Sequence, residues 1–420
     1  MRWLILACAL IPLPAWAEFF TLKGHGGPIM GIATAPDGRI ATASFDNSVG
    51  LWSDQTPEWL EGHEAAVNAV VFNGTAIYSA GDDFTLRRWP GGEIVGQHKG
   101  KIVSVAASKT HVATASWDGT IGLWPVDGTA PALFGPTGSG VNAVTFSPDG
   151  SKLFSAGVDG SLRVWDVATG EETDRLVEHG FGINELIFNA QENWIAYGAV
   201  DGVTRILDLT TGEERDFTLD RRPILALALS PDRSLLAVGD GEGYIMMIDT
   251  TEWRITQDFR ATLRGPVWAL SFSDDGQNIH AGGIDAAMYS WPVGALSDEQ
   301  QMASTEPSFL KDPDEMENGE RQFARKCSIC HSLTPEGERR AGPTLHGIFG
   351  RPAGSLPGYL YSDTLQDSDI VWNEQTINAL FDKGPDHYIP GSKMPMQRIT
   401  EQQDRDDLIA FLRRATDDQN

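Results

Sequence analysis

Apolar and polar side chains alternate from Val141 to Phe146, Ser147-Pro148-Asp149-Gly150 breaks the run, and Leu153 to Ala156 resumes it. A period of two interrupted by Pro-Asp-Gly predicts two strands joined by a tight turn. Asp159-Gly160 marks the next turn, Ser161 to Asp166 a third strand, Ala168-Thr169-Gly170 another turn and Glu171 to Leu176 a fourth strand. The unit recurs along the chain. Trp52, Trp89, Trp124, Trp165, Leu207, Ile248 and Trp291 form a ladder with rungs roughly 40 residues apart. An acid precedes each rung at one fixed offset: Asp46, Asp83, Asp118, Asp159, Asp201, Glu242 and Asp285.

This ladder resembles the WD-repeat family, in which each repeat is a four-stranded blade that buries its faces only against its neighbours. The resemblance implies an all-β seven-bladed propeller over 18–294. Glu18 to Gly24 precedes the first rung without a blade of its own, and the seventh repeat stops soon after Trp291. Phe19 to Leu22 is therefore expected to supply the outer strand of the last blade and remove an exposed edge. His25, His63, His98 and His179 stand at one offset before the first strands. In the resembled family such a histidine bonds the turn aspartate of its own blade, which supports the Trp, so these four are read as structural and not as a metal cluster. Thr137, Asp220 and Leu263 replace it in the fourth, sixth and seventh repeats. His111 and His280, in second strands with small neighbours, are read as satisfied histidines.

The period of two ends near Pro292. Residues 295–314 are polar, rich in Ala, Ser, Gln and Glu, and predict a tether. From about 315 to 420 the pattern becomes helical, so an all-α domain follows the propeller. There Cys327-Ser328-Ile329-Cys330-His331 carries the most specific chemistry of the chain. Two thiols at this spacing can each add to one vinyl group of heme, with the adjacent His331 under the iron. A zinc site would need a second ligand pair, and the one other cysteine, Cys8, lies near the start.

Met1 to Ala17 has Arg2, an apolar run from Trp3 to Leu13, and Ala15-Trp16-Ala17 as a small-x-small cleavage site, the pattern of a secretory leader. A periplasmic protein with no membrane span is expected; a lipid anchor at Cys8 is the rival reading. The formal net charge is -26, which disfavours nucleic acid and anionic membrane and favours partners with a basic docking face.

The remaining length, 315–420, resembles the class I, mitochondrial-like cytochromes c. Asn318-Gly319-Glu320-Arg321-Gln322-Phe323 matches the family's first helix and Asp407 to Thr416 its last, Gly319 letting the two cross with Phe323 meeting Leu408 and Phe411. The resemblance implies one covalent heme c held by Cys327 and Cys330, with His331 and Met394 as iron ligands and Met396 as the competing thioether. It further implies that the Pro343 carbonyl accepts the His331 ring N–H, and that Arg351, Tyr361, Trp372 and Ser392 hold the propionates. Leu380 or Phe381 stands where the family commonly brings a tyrosine to the methionine sulfur. Lys326, Lys393, Arg339 and Arg340 can make a basic rim around the heme edge. With both axial positions filled, the expectation is an exported electron carrier without catalytic residues, whose propeller docks partners. Two other readings stay open: an oxidoreductase with a substrate site in the propeller, and a redox-linked adaptor in cytochrome or oxidase assembly.

Overall fold

The computed structural model describes residues 17–219, 221, 223–294, 316–328, 330–335, 340–359, 361–392, 394 and 397–416. Residues 1–16 of the expected leader, the expected tether 295–314, and Asp220, Arg339, Lys393 and Met396 lie outside the described residues.

The alternating segments build seven four-stranded antiparallel sheets. In the fourth blade the strands are Val141–Phe146, Lys152–Gly157, Ser161–Asp166 and Glu172–Glu178. Six blades consist of consecutive strands. The seventh takes Val267–Phe272, Asn278–Gly283 and Ala287–Pro292 and is completed by Phe20–Lys23. That strand pairs Phe20 with Ser290 and Lys23 with Ala287, so the ring is fastened by its own N-terminal part. It starts one residue later than the alternation suggests, because Phe19 turns to pack on Trp291 with ring centroids 4.5 Å apart. Leu22 is buried in this sheet. Deleting Glu18 to Lys23 removes that burial, worth about 2 kcal/mol, and bares the edge of Ala287–Pro292. A lower propeller melting temperature is expected by calorimetry; an unchanged one would mean that this strand does not close the ring.

Blades pack through their faces, and each rung is where a face is filled. Trp165, for example, sits in a cluster with Leu123, Phe134 and Val144 from the third and fourth blades. Leu207 and Ile248 are buried in the same way, so the fifth and sixth blades keep four strands without an indole. The histidines sit inside their own blades, but a hydroxyl from the second strand intervenes between histidine and tryptophan. His25 Nδ1 meets Asp46 at 2.9 Å, and its Nε2 meets Thr42 Oγ1 at 2.7 Å. The same oxygen accepts Trp52 Nε1–H at 2.8 Å. His63, Asp83, Ser79 and Trp89 repeat the chain of bonds, as do His98, Thr114 and Trp124. Burial raises the Asp46 carboxyl, but bonds from His25, Ser48 and the Gly26 N–H outweigh it and hold the group at about 2. In the fifth blade Tyr197 Oη takes the place of that Thr or Ser hydroxyl, 3.2 Å from His179 Nδ1. In the sixth, the acid that organises the turn is Asp240 and not Glu242. Asp240 accepts the Glu242 and Tyr244 N–H groups and pairs with Arg221.

His111 is partly exposed beside Thr110. His280 is buried against Ser290 Oγ at 3.0 Å, and burial pushes its ring down to about 4, against a small opposing pull from Asp275. A histidine depressed in the folded state binds its proton more readily unfolded. Its contribution is therefore intact above pH 6.5 and lost as pH falls toward 4, up to roughly 3 kcal/mol. Chemical denaturation between pH 7 and pH 4.5 should show this loss in the propeller, and His280→Gln should flatten that part of the profile. A slope unaltered by His280→Gln would assign the titration elsewhere.

The C-terminal part is helical: α1 Asn318–Lys326, α2 Asp363–Gln366, α3 Glu374–Lys383, α4 Pro385–Tyr388 and α5 Gln402–Thr416. α1 and α5 cross at Gly319, where an added Cβ would overlap the Asp407 carbonyl. Phe323 stacks near Phe411, centroids 5.6 Å apart, and shares a core with Leu408, Leu412, Ile377 and Leu380. Asn373 and Thr376 form a reciprocal cap that fixes the start of α3. Buried Arg405 ties α5 to α3 through Asn378 Oδ1 at 2.6 Å. Among the described residues no helix is long and apolar enough to cross a membrane.

Candidate heme site

α1 ends at Lys326, and the chain tightens at once. The Cys330 and His331 N–H groups both return to the Cys327 carbonyl, at 3.0 and 2.9 Å. This turn sets both sulfurs and the imidazole on one cavity. Cys327 and Cys330 are buried and unpaired with each other, and burial pushes their thiols up to about 12 and about 11. His331 Nδ1 lies 2.8 Å from the Pro343 carbonyl oxygen. A donor Nδ1–H there leaves Nε2 unprotonated and free to ligate. Burial lowers the His331 ring, with the Pro343 bond opposing it. Gly342 runs against the flat of that ring, and a Cβ at this position would overlap three of its atoms.

The same cavity is lined by Pro343, Arg351, Tyr361, Trp372, Ser392 and Met394. All nine residues singled out from the sequence therefore converge. Arg351 reaches across the loop that follows Pro343, donating to the Thr344 carbonyl at 2.7 Å and the His346 carbonyl at 3.1 Å. The segments at Arg351 and Trp372 are joined by the Trp372 N–H to the Arg351 carbonyl, 3.0 Å. The floor is apolar: Leu345, Ile348, Ile377, Leu380, Phe381 and Leu412. Leu380 lies in this wall, so no phenol from α3 reaches the cavity.

Among the further lining residues, four bear on the chemistry of the site. Ser362 follows Tyr361, caps α2 without using its side chain, and leaves a buried, unbonded hydroxyl in the cavity. Gln397 leaves its side-chain oxygen in the same condition. Tyr359 donates to the Ala341 carbonyl and stands edge-on to Tyr361 at 4.7 Å, its phenol pushed up to about 12 by burial. Gly342 is the fourth. Only the serine next to Tyr361 had a signal in sequence, as a hydroxyl beside a proposed donor; the others follow from packing.

These features fit heme. The buried Ser392 hydroxyl is also without a protein partner, and a polar group buried alone is costly unless a ligand satisfies it. Ser362 and Ser392 can donate to propionate carboxylates, the apolar walls suit a porphyrin, and a nitrogen and a thioether stand ready for iron. On the open side, Phe45, Asn47, Ala65, Ala66 and Asp82 of the first two blades complete the lining.

Comparison with known proteins gives two matches along the chain. The family described as "Cytochrome c" matches residues 316–416. The family described as "WD domain, G-beta repeat" matches 16–53, 55–90, 93–125, 131–166 and 257–291, passing over the two blades whose rungs are Leu207 and Ile248. The chain is 40% identical over 106 residues to a cytochrome c of Sesamum indicum, covering 25% of this chain and 93% of that protein. It is 37% identical over 102 residues to one of Gibberella zeae, covering 24% and 95%. For one of Euglena viridis the identity is 37% over 101 residues, covering 24% and 97%.

Proposed function

Since the chain belongs to the cytochrome c family through its last hundred or so residues, with heme-based electron transfer as that part's work and protein interaction as the propeller's, we propose that it is an exported one-heme electron carrier whose heme is covalently held. Cys327 and Cys330 would take the two thioether bonds, and His331 and Met394 would hold the iron. The observation that carries this is the convergence on one cavity of the two thiols, the imidazole oriented by Pro343 and the Met394 side chain. The group supplies a reversible one-electron couple when bound.

The protein's own contribution is positional. Pro343 orients His331, Ser362 and Ser392 would offer hydroxyls to the propionates, and Arg351, held by the Thr344 and His346 carbonyls, adds a fixed positive charge to the lining. Leu380 and Phe381 keep water from the thioether side. The apolar run and small-residue site of the leader support export to the periplasm. Closed ligation favours a carrier over substrate chemistry at the iron. The optical spectrum of the reduced protein under carbon monoxide tests this. No shift, with a sulfur-to-iron band in the oxidised protein that Met394→Ala abolishes, is the expected outcome. Ready carbon monoxide binding by the unmodified protein would mean an open site and favour the oxidoreductase reading.

A further inference from the structure

In every blade the residue ahead of the rung acid occupies one structural position, the first of the turn between second and third strands: Phe45, Asp82, Trp117, Val158, Val200, Gly241 and Ile284. In six blades its backbone N–H is tied to the residue just before the first strand, as in Trp117 to Lys101 and Val158 to Gly140, both 2.9 Å. All seven positions therefore surround one end of the propeller. Phe45 and Asp82 line the heme cavity. Beyond them the ring turns apolar and open: Trp117 is 56% exposed, Val158 53% and Val200 46%, and Phe181, from the loop between the fourth and fifth blades on the same end, 58%. Large apolar side chains gathered on one face mark an interaction surface.

We infer that Trp117, Val158, Phe181 and Val200 form the dock for the redox protein that exchanges electrons with the heme, and that this partner presents an apolar patch within a basic rim. The inference rests on the carrier reading above. Continuity places the dock, since the arc runs directly on from the two blades that line the heme cavity. Charge sets the chemistry of the partner. Each apolar residue of the ring's open arc is followed by a partly exposed carboxylate, Asp118, Asp159 or Asp201, paired within its own blade to His98, Arg163 or His179, so the excess of acid that steers a partner is that of the whole chain, whose net charge is -26. Apolar contact at the centre would supply the affinity, and that excess of acid would steer the approach. Trp117 is braced for this by Asn142, which accepts its Nε1–H at 3.1 Å, and by Lys101 over its ring.

The test uses the full heme-loaded chain and, as probes, a basic and an acidic blue-copper protein, whose copper band is read apart from heme. One electron passes from ferrous heme to cupric copper, and no bond is made or broken. Stopped-flow mixing should give a saturable rate with the basic probe that falls with salt, and a much slower rate with the acidic one. Trp117→Ser and Phe181→Ser, which remove the apolar contact without changing the charge, should each slow the basic probe by about tenfold, with melting temperature, spectrum and reduction by ascorbate unchanged. Equal rates for the two probes, or rates untouched by both substitutions, would overturn the dock. A chain that ascorbate cannot reduce, or that carries no heme, would instead sink the carrier reading.

Discussion

A chain carrying both Cys327→Ala and Cys330→Ala is expected to retain no heme after denaturation, and its C-terminal part is expected to lose its helices. Both sulfurs are buried against the cavity, and without a covalent hold the surrounding wall of Leu345, Ile348, Ile377, Leu380 and Leu412 would face water. A domain of this size has only about 5–15 kcal/mol of stability to lose, and baring five such side chains, at about 2 kcal/mol each, consumes it. Far-ultraviolet circular dichroism should show the helical signal falling while the propeller's thermal transition remains. A double variant that keeps heme through acid extraction would remove these thiols from the attachment chemistry.

Gly319→Val is expected to cost about 3 kcal/mol or more in the stability of the helical part. α1 and α5 touch backbone to backbone there, and the new side chain would displace the Asp407 carbonyl and the Phe411 side chain together. The Phe323–Phe411 contact and the Asn318 bonds to Asp404 and Asp407 would go with it. Denaturant unfolding followed by heme absorbance measures the loss. A shift below about 1 kcal/mol, the size of an ordinary surface change, would show that the helices separate without consequence.

The architecture was legible because its two periods are written at different scales. A period of two along Val141 to Phe146, and a recurrence of tryptophan near every fortieth residue, announce strands and blades, and Gly319 and Phe323 announce a helix crossing. Closure by Phe20–Lys23 was legible from arithmetic alone, since one repeat lacked a strand and one segment had no partner. The details that were not legible depend on neighbours distant in sequence. Thr42 and Ser79 stand between histidine and tryptophan because the second strand runs between the other two. Asp240 replaces Glu242 because Arg221, from another turn, reaches it. In the heme cavity the motif residues carry their chemistry in their names, whereas Ser362, Gln397 and Tyr359 become visible only through the oxygen left unbonded or the carbonyl reached. The face formed by Trp117, Val158, Phe181 and Val200 has no motif, because exposure is a property of the closed ring.

The most direct measurement is the amount of heme that stays with the purified, denatured and acid-extracted chain, read as heme per polypeptide together with its reduced spectrum. One heme per chain, with the spectrum of two saturated vinyl positions, is the predicted result. Heme that extracts freely, or a chain without heme whose C-terminal part is nonetheless folded, would contradict the account at its centre.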